Sequence, residues 1–215
     1  MSHPEPQRTD VRIERYDKDQ TEWARRFLGL PPDVTLQSAD FAAAGVRPYS
    51  VTGEEDCNAV VGTGWAALLG GITGSPVAAP LSATNGRIGV GTSTVVTSWG
   101  DMWLHGDTGS ASTTSYYQLC GTAPVIATAT GPCSLTLNAS FGGSVANFAW
   151  NEFGVDNGAA SGVYLNGLAG GYILFSRGVF SPSEGTKILG QTWPFAATMT
   201  WGFASGDAIL SDVGP

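Results

Sequence analysis

Two segments of the chain alternate apolar and polar residues with a period of two: Leu135, Leu137, Ala139 and Phe141, and then Phe195, Ala197, Met199, Trp201 and Phe203. That period buries one face of an extended strand and leaves the other open, and it does not fit a helix. From Gly74 onward the texture is similar throughout. Extended runs at 86–91, 94–98, 113–119, 134–141, 145–155, 172–179 and 192–203 are separated by Gly, Pro, Ser and Asn turns. About seven or eight strands at such spacing predict a mainly β chain, a β-sandwich of jelly-roll or immunoglobulin-like type.

Helical signals are confined to the first third. The stretch from Asp10 to Leu28 places Tyr16, Trp23 and Phe27 near one helical face and ends at Gly29 and Pro31-Pro32, which predicts a helix over about 10–28. An isolated helix cannot bury an aromatic stripe by itself. Tyr16, Trp23 and Phe27 must therefore dock on the body or on a neighbouring chain, and the sequence leaves both open. Val46 to Val51 reads as a strand. Asn58 is a candidate N-cap for a second helix over about 58–70, in which Val61, Trp65, Leu68, Leu69 and Ile72 recur at helical spacing. Gly62 and Gly64 lower its helix propensity but permit a close approach to a neighbour. The expected organisation is an N-terminal arm, 1–48, followed by a sandwich body, 49–215.

Charge divides the chain. Through residue 56 there are 11 acidic and 7 basic residues; after it there are 7 acidic residues and three basic ones, Arg87, Arg177 and Lys187. A net charge of -8 with so few cations opposes direct binding of nucleic acid, which needs Lys and Arg against phosphate. The N-terminus lacks the apolar run of a signal peptide, and no uncharged stretch is apolar enough for a membrane span. The sequence therefore reads as a soluble protein made in the cytosol.

The residues that could carry chemistry are isolated. Cys57, Cys120 and Cys133 form no CxxC and have no histidine at ligand spacing, although Cys120 and Cys133 enclose a loop short enough to bridge. His105 lies near Asp101 and Asp107, but the only other histidine is His3, and the acidic spacing lacks the twelve-residue calcium pattern. GRIGVG at 86–91 is followed by TSTVVTSW rather than by a helix for a pyrophosphate to sit on. No serine has the surroundings of a nucleophile. No catalytic, metal-binding or cofactor-binding residue is assigned.

The stretch FAWNEFGVDNG, 148–158, puts Glu152 and Asp156 on one face of a strand and Phe153 and Val155 on the other. Trp150 and Phe153 are both core candidates three residues apart, so a register break near Asn151 is expected. Trp150, Asn151, Glu152 and Phe153 then read as sheet-organising residues, with Asn151 and Glu152 satisfying backbone groups at the break. Trp99, Trp103 and Tyr164 lie in loop-like stretches where large apolar groups suit a subunit contact or the closing of a sandwich end.

Several of these segments, in order, resemble a family of tailed-bacteriophage virion structural proteins: Asn58 to Ile72, GRIGVGT at 86–92, Ser115 to Tyr117, Leu135 to Asn157 with NEFG at 151–154, FSRGV at 175–179, GTKIL at 185–189, and Thr192 to Thr200. The resemblance spans roughly residues 50–202 and implies a non-enzymatic virion component. A capsid decoration or accessory protein, a homo-trimer or other homo-oligomer on the major capsid protein at the outer capsid surface, is the leading expectation. A tail or head-fibre module is the second. A carbohydrate-binding module or glycan-active enzyme using Trp99, Trp103 and Tyr164 is a third, from a different class.

Overall fold

The computed structural model describes residues 8–54, 58–73, 81–107, 113–127, 133–158 and 173–201. These residues form two five-stranded sheets and three helices. The first sheet has the order β2 (Ser50–Glu54), β1 (Arg8–Arg15), β10 (Trp193–Trp201), β7 (Cys133–Phe141) and β6 (Val125–Ala127). The second runs β3 (Asn58–Val60), β9 (Leu174–Val179), β8 (Glu152–Asp156), β4 (Arg87–Gly91) and β5 (Ser115–Leu119). Every pairing within the two sheets is antiparallel. The fold is mainly β, a β-sandwich.

One core joins the sheets. Val11 and Ile13 of β1, Leu137, Ala139 and Phe141 of β7, and Phe195, Ala197 and Met199 of β10 meet Ile88, Val90, Phe153, Val155 and Phe175 of the second sheet. The alternations at 135–141 and 195–199 are thus the inner faces of two neighbouring strands, paired Phe195 to Ala139 and Ala197 to Leu137. Trp150 sits at the centre, edge-on to Phe141 and Trp193 with ring centroids 4.8 Å from each. Such aromatic contacts add to the area they bury.

The N-terminal region departs from expectation. Residues 8–15 are not the start of a helix: β1 lies between β2 and β10, so the segment is an inner strand of the body rather than part of a separate arm. Val11, Ile13 and Arg15 alternate inward with period two, a signal hidden by the helical spacing of the aromatics that follow. The helix α1 is Lys18–Leu28; Asp17 caps it by accepting from the Gln20 amide while the Gln20 side chain returns to the Asp17 amide. Tyr16 does not share a face with Trp23 and Phe27. It is buried, stacked on Phe41 of α2 (Ser38–Ala43) at 3.5 Å, in a small second core with Ala24, Leu36 and Ala44.

The helix expected over 58–70 is α3, Gly62–Thr73, so Asn58 belongs to β3 and does not cap it, and the helix runs on through Gly70 and Gly71. A side chain at Gly64 would collide with the backbone of Phe175, which explains a glycine in the helix: it lets α3 lie directly against β9. The expected strand at 94–98 is instead part of an irregular segment, 92–107, and β6 was not anticipated because its three residues lie among turn residues.

Candidate functional site

The outer face of the second sheet is where chain organisation and charge meet. Across β4 and β8 the register sets Gly91 opposite Glu152, Gly89 opposite Gly154, and Arg87 opposite Asp156; across β8 and β9 it sets Gly154 opposite Arg177. The outward row of β8 is thus Glu152, Gly154 and Asp156, while Phe153 and Val155 enter the core. The glycines leave a trough down the middle of this face. Leu104 fills it: a Cβ at Gly154 would lie 3.0 Å from Leu104 Cδ2, and one at Gly89 would lie 2.9 Å from its Cδ1.

An ionic cluster lies at one end of the trough. Arg177 Nε donates to Glu152 Oε2 at 2.8 Å, Nη1 to Asp101 Oδ2 at 2.9 Å, and Nη2 to the Val95 carbonyl at 2.8 Å. Glu152 also accepts from the amides of His105, at 3.0 Å, and Gly106. Asp101 accepts from the Ser98 amide and contacts His105 Nε2, each at 3.0 Å. Burial raises the Asp101 carboxyl, but the Ser98 amide, His105 and Arg177 outweigh it and leave the carboxyl below its ordinary value. Arg177 and Glu152 have no exposed surface. Their charges are directed inward and fasten the 92–107 segment to the sheet.

At the other end, Arg87 Nε donates to Asp156 Oδ1 at 2.7 Å and lies over the Tyr117 ring at 4.7 Å. Burial raises the Asp156 carboxyl above its usual value, and Arg87 and the Gly158 amide only partly offset that. Two more charged groups tie loops down elsewhere. Arg15 binds the Glu184 carboxylate and stands over Trp193. Lys187 Nζ donates to the carbonyls of Gly142 and Val145 at 2.7 and 3.0 Å and to Asn147 Oδ1 at 3.1 Å. Burial pushes the Lys187 ammonium down to about 7.

These contacts amount to a rule for the chain beyond β2. Every Asp, Glu, Lys and Arg from residue 57 to 201 is buried: Arg87, Asp101, Asp107, Glu152, Asp156, Arg177, Glu184 and Lys187. Charged side chains are ordinarily the outermost groups of a domain. Here residues 57–201 keep them inside, and among the described residues of that span the titratable side chains that reach the surface are His105, Tyr116 and Cys133.

The side chains on that surface are apolar in places. Val95, Val96, Trp99 and Met102 project from the outer side of the pinned segment, Val96 and Trp99 being 80% and 66% exposed. The Trp99 carbonyl accepts from Gly62 at 2.9 Å, which ties the segment to the start of α3. Trp103 is half-buried, and Tyr164 lies outside the described residues. On α1, Trp23 and Phe27 stack at 5.1 Å and are 46% and 62% exposed, so neither docks on the body.

Around Asn151 the chain changes course without a bulge at that residue. Asn151 precedes β8; its amide donates to the Gly91 carbonyl and its side chain to the Thr92 carbonyl, both at 2.8 Å. This non-strand residue lets Trp150 and Phe153 both enter the core, while the ladder irregularity falls at Val155/Asp156 in the pairing with β9. Cys120 is buried and Cys133 exposed, and both are free thiols. Among the described residues, no group of three His, Cys, Asp or Glu is placed to hold a metal ion, and no helix is long and apolar enough to cross a membrane.

Sequence reasoning singled out Glu152 but missed its partners Arg177 and Asp101, and it missed Lys187 as an anchor. The scarcity of cations was the available signal. Three basic residues in 159 are too few to keep a surface hydrated, so each was free for a specific internal use. Comparison of the chain with protein-family models, curated proteins and solved structures returns no match.

Proposed function

We propose that the chain is a non-enzymatic structural component of a tailed-phage virion, a capsid decoration or accessory protein that assembles, as a homo-oligomer, on the outer surface of the major capsid protein lattice. The observation that carries this reading is the inverted charge distribution of the body. An exterior free of Asp, Glu, Lys and Arg over residues 57–201 and apolar in places, held by buried ion pairs, suits a building block whose surface is covered by neighbours. The ordered segments behind the family resemblance also converge in space. Glu152 of NEFG binds Arg177 of FSRGV, and Lys187 of GTKIL anchors the turn before Trp150.

Trp23 and Phe27 are the proposed anchor to the lattice. They sit exposed on a helix whose opposite side is packed, and aromatic side chains concentrate binding energy when a partner buries them. Tyr16 has no part in this contact. The test is incorporation into particles. Deleting residues 1–30 would remove the inner strand β1, so the informative variant is Trp23→Ala with Phe27→Ala. Quantitative mass spectrometry of purified virions should find many copies of the native chain and a several-fold lower occupancy of the double variant, with an unchanged circular dichroism spectrum. Unchanged occupancy would remove the anchor; a few copies per particle would favour the tail or head-fibre module.

A further inference from the structure

The sheets end in four edge strands, β2, β6, β3 and β5, and an open edge presents unpaired N–H and C=O groups to any compatible strand. Proteins ordinarily protect such edges with charge or cover. The edges β2 and β3 adjoin the acidic run Glu54-Glu55-Asp56. The side chains of β5 are buried or half-buried. The strand β6 has neither protection: Val125, Ile126 and Ala127 are all exposed, and among the described residues only β7 pairs with it. Residues 108–151, which include β5, β6 and β7, contain no Asp, Glu, Lys, Arg or His.

We infer that β6 is a self-association edge, which pairs antiparallel with β6 of a second copy across a twofold axis near Ile126 and continues the first sheet from one copy into the next. Charge selects this occupant. Two copies that each carry a net charge of -8 repel wherever their acidic surfaces meet, yet they can approach along β6 without placing one formal charge against another. The geometry is self-complementary, since antiparallel pairing of identical strands satisfies both backbones by the same contact. Val125 and Ile126 point to opposite faces, so the joined sheet would bury apolar side chains on both sides of the seam. The inference rests on the reading of this chain as an assembling building block, but its test needs no virion.

The test uses the full chain with Cys57 and Cys133 replaced by Ser. Ile126→Cys should form an intermolecular disulfide under mild oxidation, because paired residues at the axis have Cα atoms about 4.5–5.5 Å apart. Thr122→Cys should not, because it would stand about 26 Å from its mate. In the native background, Ile126→Lys should raise the apparent self-association Kd by about tenfold or more in sedimentation velocity. Because Ile126 is exposed, the melting temperature of the isolated chain should not fall. Self-association that survives Ile126→Lys, cross-linking that is equal at 122 and 126, or absence of self-association by the native chain would each overturn the inference. A chain that pairs through β6 yet never enters particles would refute the virion reading and leave this one standing; the converse result would separate them the other way.

Discussion

Replacing Arg177 by Met tests whether the body depends on its internal ion pairs. The substitution keeps much of the side-chain volume and removes the donors to Glu152, Asp101 and the Val95 carbonyl, at 2.8, 2.9 and 2.8 Å. Two carboxylates would then remain, one with no exposed surface and the other 6% exposed, sharing only backbone amides and His105. Breaking a buried pair by removing one member costs about 3–5 kcal/mol, because the remaining charge has no compensation. For a domain of this size that corresponds to a fall in melting temperature of about 6–20 °C.

The assay is urea unfolding followed by circular dichroism, combined with limited proteolysis at 92–107. Arg177→Met should lower the unfolding midpoint and speed cleavage near Trp99 and Met102, since the segment loses its fastening. Adding Glu152→Gln should return part of the lost stability, a coupling that a double-mutant cycle isolates. Arg177→Lys should fall between, since an ammonium keeps the charge but not the planar fork. A loss below about 1 kcal/mol, with unaltered proteolysis and no rescue by Glu152→Gln, would refute the argument that these charges hold the segment.

Three further outcomes follow from local geometry. Gly64→Ala should destabilise by about 1–3 kcal/mol, despite the better helix propensity of Ala, because the added Cβ meets the Phe175 backbone; chemical denaturation measures it. Asp17→Ala should cost about 0.5–2 kcal/mol through loss of the α1 cap, seen as a lower melting temperature without change in the sheet spectrum. Lys187 has a folded pKa of about 7 against an ordinary 10.5, so between those values the unfolded chain holds the proton and the folded chain does not. Its contribution to stability should therefore rise with pH across that window by up to about 1.4 kcal/mol per unit, a slope absent from the unfolding curves of Lys187→Met.

The sheet was legible where one face is apolar and the other polar. Residues 135–141 and 195–199 announced β7 and β10, because their alternation reflects burial on a single face, and GRIGVG announced β4 although both of its faces are buried. Residues 8–15 carry the same alternation in Val11 and Ile13, yet Arg15 occupies an inward position normally apolar, since Glu184 and Trp193 receive it. A buried arginine breaks the pattern unless its partner is known, and that partner lies far along the chain. Asn58 looked like a helix cap for a related reason: its role as the start of β3 is fixed by pairing with Gly178.

Glu152 shows the same limit at the candidate site. Its separation from Phe153 and Val155 onto the opposite face followed from the period of the strand. Its ligands did not, for they come from the 92–107 segment and from β9, brought together only by register. Once Gly91 stands opposite Glu152 and Gly154 opposite Arg177, the missing side chain at Gly91 leaves room for the Glu152 carboxylate, and the one at Gly154 leaves room for Leu104. Gly91 thus makes room for charge, Gly89 and Gly154 make room for Leu104 of the same segment, and the buried charge holds a segment whose outer side is apolar. The cost of desolvating these ions is sustained by the core beneath them. What it secures is a fixed arrangement of Val95, Val96, Trp99 and Met102, and a surface ordered before contact loses less entropy when a partner covers it.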